Sequence, residues 1–193
     1  MLQIILPKIE KSSGLLLEDA IKLRRSKRAD YKSQISLVEL SRLLWSGQGI
    51  TADKKRAIPS AGMTFPLELF IIAKNVEVLK QGLYKYLPET HSIEMVNEAD
   101  FSQALEKACG KYVFVKNAPL SIIITADLKR TTQRFAERGA MYVHMEAGSA
   151  YQNISLQAVN LGLGTVVVGA FDVKSLKESL NISFEPLCIL PVG

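Results

Sequence analysis

Residues 136–171, AERGAMYVHMEAGSAYQNISLQAVNLGLGTVVVGAF, decide what kind of fold this chain can adopt. From about Thr132 to Leu161 apolar residues recur at helical spacing, and Gly162 and Gly164 then break the run before the β-branched series Thr165–Val168. The stretch predicts one long helix, a glycine turn and a strand, TVVVGAF. Ala147, Gly148 and Ala150 lie in the middle of that helix, where small side chains let a second helix approach closely. Such a helix is either the core of a domain or half of a subunit interface.

Working outward, PLSIIITAD (119–127) is an unbroken apolar run, as a central strand covered on both faces requires. Leu67 to Ala73 reads as a second strand, and GLYKYLPETHSIEMV (82–96) as a hairpin turning at Pro88 to His91. A helix spans about Asp100–Cys109, another about Val173–Leu180, and PLCILPV (186–192) is a final strand. Toward the N-terminus, LLLEDAIKLRRS (15–26) has helical spacing that fades near Ser26. SLVELSRLLWSGQG (36–49) opens on a capping box, Ser36 with Glu39, and is stopped by Gly47 and Gly49. Four core strands, a hairpin and four or five helices make a layered α+β or mixed α/β domain. No repeat or linker divides residues 1–193.

The chain carries 24 Lys and Arg against 19 Asp and Glu, and 48% of it is apolar, ample for a core. The positive charge belongs to residues 1–56, where 12 basic residues face 6 acidic ones. Five of the twelve fall in LRRSKRADYK (23–32). One cluster without a stripe of interleaved aromatics argues against nucleic acid as the partner. Cys109 and Cys188 are far apart in sequence and suggest neither a disulfide framework nor a zinc site. No apolar run is long enough to span a bilayer and MLQIILPKIEK lacks the features of a secretory signal, so a cytoplasmic protein without a membrane partner is expected.

His91, expected solvated in its turn, and His144, expected partly packed in the long helix, are too few for a histidine metal site or a histidine-based triad. The glycines of LGLG (161–164) end a helix and open a strand, the reverse of the dinucleotide-binding fingerprint. The chain thus lacks side chains for unaided acid–base or nucleophilic work. It has instead several backbone-exposing loops and one tight cationic cluster, which points to chemistry supplied by a cofactor.

Five segments carry a more specific reading: RRSKR (24–28), PSAGMTFPLE (59–68), LPETHSIE (87–94), residues 136–171, and LPVG (190–193). In this order and spacing the chain resembles the nitroreductase family of FMN-dependent oxidoreductases, nearest its azoline (thiazole/oxazole) dehydrogenase-like branch, over nearly all its length. The resemblance implies an α+β three-layer α/β/α sandwich with a central mixed, mostly antiparallel sheet and a long core or dimer helix. It implies a homodimer with FMN at the subunit interface. NAD(P)H would reduce the flavin, and a small flat acceptor, a nitroaromatic or quinone, would reoxidise it in a ping-pong cycle.

By the same resemblance Arg24 grips the FMN phosphate, Ser26 lies by the phosphate or ribityl chain, and Arg28 faces flavin N1/O2, with Arg25 counted in the cluster. The turn Pro59, Ser60, Ala61, Gly62 and Met63 covers the flavin from the partner subunit. Gly164 belongs to the glycine turn, and the backbone of Gly169 and Ala170 passes the reactive N5. The physics agrees, since a phosphate takes guanidinium donors and a cation near N1/O2 stabilises an anionic reduced flavin. No catalytic side chain and no metal are expected.

Three departures matter. Azoline dehydrogenases carry Lys-Tyr just before the segment matching AERG, and this chain has Arg134-Phe135, so that phenol is missing. The family commonly places a basic residue shortly after its LPxG strand, and with the sequence read to Gly193 the expectation is that Arg24 and its neighbours carry more of the phosphate binding. Met63 stands where many relatives have Asn. Variable segments around Phe65, Tyr112 to Val115 and Phe135 would shape the acceptor pocket. The other readings are azoline oxidation, a flavin-binding protein without catalysis, and a polyanion-binding module working through residues 22–32 and 54–56.

Overall fold

The run Leu120–Ala126 is buried at all seven positions and forms β5, an inner strand next to the edge of a six-stranded sheet ordered β1-β4-β3-β2-β5-β6. The computed structural model of the protein describes residues 3–10, 14–53, 55–110 and 112–193; Lys54, in the basic segment 54–56, lies outside them. The other strands are Gln3–Ile5 (β1), Leu67–Ala73 (β2), Gly82–Leu87 (β3), Ser92–Asn97 (β4) and Glu185–Val192 (β6). β2 pairs with β5 along its whole length, Leu67 opposite Ala126 through Ala73 opposite Leu120. All five ladders are antiparallel, and parallel pairing is confined to the isolated bridges Ser26–Thr165 and Ile35–Val76.

Because side chains alternate along a strand, these apolar runs feed two cores. Leu69, Ile71, Ile122 and Ile124 enter one core with Leu40, Leu43 and Leu44 of α2 (Leu37–Gln48) and Val143, Ala147, Ala150 and Ile154 of α6 (Arg138–Asn160). Phe70, Ile72 and Ile123 enter the other, with Leu105 of α3 (Ser102–Ala108), Val115 of α4 (Val113–Asn117) and Leu176 of α7 (Val173–Leu180). The result is the expected α/β/α sandwich. Two more helices, α1 (Leu17–Leu23) and α5 (Leu128–Phe135), bring the described helices to seven, beyond the four or five expected.

The capping box at α2 is formed in both directions: Glu39 N–H donates to Ser36 Oγ at 3.2 Å and Ser36 N–H donates to Glu39 Oε2 at 2.7 Å. Burial alone would push the Glu39 carboxyl up, but hydrogen bonds from Lys32 and Ser36 outweigh it and hold the group below its ordinary value. Cys109 and Cys188 are buried and unpaired, as expected.

Four expectations are corrected. The helix expected from Thr132 to Leu161 is two helices, α5 and α6, with Ala136 between them at φ 49°, ψ −135°. The break lets α6 fold back on α5, and a Cβ on Gly139 would lie 2.7 Å from Thr132 Cα, so only glycine fits that approach. TVVVGAF is not a strand. Among the described residues its bridges to β6 are the isolated pairs Thr165–Val192 and Val168–Ile189, and Thr165 also pairs on its other side with Ser26. Finally, His91 is half-buried and engaged rather than solvated. Its Nε2 lies 2.8 Å from Ser41 Oγ, whose own proton goes to the Pro7 carbonyl at 2.6 Å, and 3.1 Å from that carbonyl, so Nε2 carries the proton and Nδ1 accepts from the Tyr86 hydroxyl at 2.8 Å. His144, expected partly packed, is exposed on α6. The edge strand β1, which the sequence reading omitted, is three residues long.

Candidate functional site

α1 ends at Leu23, and a helix C-terminus presents carbonyl groups and the negative end of its dipole. Arg25 answers that end: its Nη1 donates to the carbonyls of Lys22 and Arg24, both at 2.8 Å. Arg24 and Arg28, by contrast, make no side-chain hydrogen bond or ion pair with the described residues. Lys32 is paired with Glu39 at 2.7 Å. The five-charge run therefore reduces to two unengaged guanidinium groups, Lys27, and Ser26 exposed among them.

The glycine turn packs against this run. Lys27 N–H donates to Thr165 O at 3.0 Å, and Gly164 exchanges two backbone hydrogen bonds with Gly193, at 2.6 and 3.0 Å. A Cβ on Gly164 would fall 2.8 Å from Lys27 Cδ and 3.0 Å from Lys27 Cβ, so a larger residue there would have to displace Lys27. Downstream, Val168 and Ile189 exchange hydrogen bonds at 2.8 and 3.0 Å, after which Gly169 and Ala170 are exposed. A Cβ on Gly169 would meet nothing within 4 Å, which leaves open space over that backbone. Beside Arg28, the rings of Tyr112 and Phe114 stack at 5.4 Å and line a cleft with Tyr31 and Asn117.

The turn Pro59–Met63 lies in a second cluster. Gly62 has φ +57°, its carbonyl accepts from Arg134 Nη1 at 2.7 Å, and Ser60 Oγ accepts from Phe65 N–H at 2.9 Å. Arg134 lies over the Phe135 ring, which meets Tyr142 edge-on at 5.3 Å. Pro59, Ser60 and Ala61 form one wall of a cleft of about 270 Å³ whose other wall is Tyr142, Met145, Glu146 and Ser149 of α6. Met63 is exposed at the tip. The expected site residues thus fall into two groups: Arg24 to Arg28 with Gly164 and the segment reaching Gly169 and Ala170, and the turn with Phe65 and Phe135. Among the described residues no hydrogen bond joins the two groups.

Sequence reasoning missed Glu146. It is 3% exposed, and neither carboxyl oxygen has a hydrogen-bond partner. Burial pushes the group up to about 7, against smaller lowering influences from Ser60, Arg56 and Gln48, which face it without closing a hydrogen bond. The cation that acts on it, Arg56, is committed elsewhere: Nη1 to Gln48 Oε1 at 3.2 Å and Nη2 to Glu89 at 2.7 Å. The available signal was spacing, because Glu146 falls three after Val143 and four before Ala150, on the buried face of α6.

Comparison with known proteins follows the same lines. A profile of the nitroreductase family matches residues 21–193. A Methanocaldococcus jannaschii protein provisionally named a nitroreductase is 42% identical over 193 residues, covering 100% of this chain and 96% of that one. A crystal structure from Ralstonia eutropha, also provisionally a nitroreductase, superposes with a TM-score of 0.86 at 27% identity, over 99% of this chain and 88% of that one. The microcin B17-processing protein McbC of Escherichia coli is 25% identical over 134 residues, 66% of this chain and 49% of that one, and supports the azoline dehydrogenase-like branch.

Proposed function

The chain belongs to the nitroreductase family of oxidoreductases, and from that premise we propose that it is an FMN-dependent enzyme that takes hydride from NAD(P)H and delivers it to a nitroaromatic, quinone or similar flat acceptor in a ping-pong cycle. The observation that carries this reading is the pair of unengaged guanidinium groups, Arg24 and Arg28, beside Ser26 and the close backbone approach at Gly164. A phosphate monoester brings close to two negative charges and takes bidentate donors, which guanidinium supplies and ammonium does not. The end of α1 alone would repel such an anion, and Arg25 offsets that end.

When bound, the flavin supplies the hydride chemistry; the chain holds and orients it. Arg24 fixes the phosphate end, Arg28 faces the N1/O2 edge, and both bias the site toward negative charge. Gly169 and Ala170 offer exposed backbone with open space above it, where N–H groups and an acceptor come near the reactive ring. The turn Pro59–Met63 closes the site from a second copy of the chain. Two features support this homodimer: the separation of the site residues into two groups, and the apolar flank of α1, where Leu16, Leu17, Ile21 and Leu23 are 70%, 62%, 55% and 54% exposed. Burying each such side chain is worth roughly 1.5–3 kcal/mol.

The McbC likeness favours a second reading, oxidation of azoline rings during peptide maturation, in which the peptide reduces the flavin. Phe135 counts against it, since its ring packs on Tyr142 and carries no hydroxyl. A polyanion partner is weakened by Arg25 and Lys32, which are both engaged within the chain. Among the described residues no helix is long and apolar enough to cross a membrane, and a cytoplasmic location is part of the proposal. The test is direct: the purified protein should be yellow, release FMN on denaturation, and run as a dimer. A colourless protein that excess FMN does not change would overturn the reading.

A further inference from the structure

The cleft between the Pro59–Ala61 turn and α6 contains a polar group that the fold does not explain. Glu146 is 97% removed from solvent, given its 3% exposure, yet both of its oxygens lack partners, and the Gln48 amide nitrogen facing it lacks one as well. A buried carboxylate in such a place is disfavoured unless it is neutral or its oxygens are met by something that enters the cleft. Burial favours its neutral form and outweighs the groups around it, which favour the ionised one. α2 presents the amide of Gln48, the turn presents the Ser60 hydroxyl, and α6 itself presents Tyr142; Arg56 is the charged neighbour, and its guanidinium is held by Glu89 and Gln48. The Ser60 hydroxyl accepts from the Phe65 N–H, which fixes it at the cleft wall. A carboxylic acid has one O–H to donate, and among the described residues no group closes a hydrogen bond to it.

We propose that Glu146 is the proton donor of this cleft: its neutral carboxyl donates a hydrogen bond, and then its proton, to an oxygen or nitrogen of the acceptor bound between the Pro59–Ala61 turn and α6. The proposal rests on the oxidoreductase reading above and adds a residue to it. For a quinone the balance is simple. Hydride from the reduced flavin brings two electrons and one hydrogen to the acceptor, the Glu146 O–H bond breaks, a new acceptor O–H bond forms, and the hydroquinone leaves. The carboxylate so produced takes a proton from water through the open side of the cleft. Gln48 stabilises that short-lived anion, because its amide is beside the carboxylate and favours the charged form, and its amide nitrogen is a donor without a partner among the described residues. The acceptor class follows: a flat molecule with an exposed carbonyl, nitro or azo atom that gains a proton as it gains electrons.

Two measurements on wild type and Glu146→Gln test this. The first is infrared titration of the carboxylic-acid band in protein stripped of flavin, which reads the held proton without any turnover. Wild type should show a buried protonated carboxyl at pH 6 that is lost on titration through about 7, and Glu146→Gln should lack it. The second is stopped-flow kinetics of the flavin-loaded protein with menadione. Acceptor reduction should fall on the order of 100-fold in Glu146→Gln, with the fall of rate above about pH 7 abolished, while flavin reduction by NAD(P)H stays within about twofold. Glu146→Asp should recover part of the rate. An ionised carboxyl at pH 6, or equal menadione rates in wild type and Glu146→Gln, would overturn the proposal. If the protein binds no flavin at all, the oxidoreductase reading and the donor role fail together, and the infrared titration still decides separately whether Glu146 holds a proton.

Discussion

Arg134 Nη1 donates to the Gly62 carbonyl at 2.7 Å, tying the last turn of α5 to the tip of the Pro59–Met63 turn. The carbonyl is available because Gly62 adopts φ +57°, and a Cβ there would lie 2.7 Å from Arg134 Nη1 and 2.9 Å from the Phe135 ring.

Gly62→Ala should therefore lose more than the backbone term. An alanine in the left-handed region costs roughly 1–2 kcal/mol, and here the Arg134 contact is displaced as well. Gly110→Ala is the control: Gly110 has φ +67° with nothing within 4 Å of an added Cβ, so it should show the backbone term alone. Urea unfolding of both variants measures the difference. Equal losses would mean that Arg134 does not hold the turn.

The basic run should divide by function. Arg24→Ala should weaken FMN binding on the order of 10- to 100-fold, the worth of charge-assisted hydrogen bonds to a phosphate. Arg25→Ala should chiefly fray α1, since its guanidinium serves the helix carbonyls. Lys32→Ala should leave FMN affinity unchanged and remove only the ion pair to Glu39. Fluorescence titration with FMN separates the three, and equal losses would return the run to a generic basic patch.

Glu146 sets a stability slope with a definite sign. Its folded value is raised from 4.5 to about 7, so the folded protein holds a proton that the unfolded chain has released. Its contribution is fully present below pH 4.5 and is lost as pH rises to about 7, a loss on the order of 3 kcal/mol by linkage. Glu146→Gln should remove this loss, so the stability gap between variant and wild type should open between these values and stay level above them. Urea midpoints at several pH values read it, and a constant gap would contradict the assignment.

His91 acts in the opposite direction. Burial lowers its value below 6.5, against a raising influence from the Pro7 carbonyl, so the neutral ring is the folded form. The stability it supports is present above 6.5 and is lost as pH falls below that value. His91→Gln should flatten the acid side of the profile, measured in a Glu146→Gln background so that the two slopes do not overlap.

These residues mark where the sequence was legible. The strands at 67–73 and 120–126, the hairpin and the Ser36–Glu39 capping box are local patterns, and each formed where its spacing placed it. The break at Ala136 was not legible, because neither Gly nor Pro marks it; it arises from Gly139 meeting Thr132 after the chain reverses. TVVVGAF has strand composition but two competing neighbours, β6 and the Ser26 segment. The settings of Glu146 and His91 depend on partners dozens of residues away, Gln48, Ser60, Ser41 and Pro7, which no single-sequence pattern joins.

The flank of α1 should be an interface. Leu17→Lys with Ile21→Lys replaces side chains 62% and 55% exposed in one chain, so the single chain should fold as before. A homodimer should dissociate, and FMN should be lost with it if the turn of one chain closes the site of the other. Light scattering of both proteins gives the answer; a wild-type protein of single-chain mass, or a variant that remains a dimer, contradicts the interface.

The most direct test is a visible spectrum of the purified protein followed by anaerobic titration with NADH and NADPH. The account predicts an oxidised flavin spectrum with about one FMN per chain, bleached by one of the two nucleotides and restored by menadione. A protein without visible absorption that gains none from added FMN, or a flavin spectrum that neither nucleotide bleaches, would contradict it.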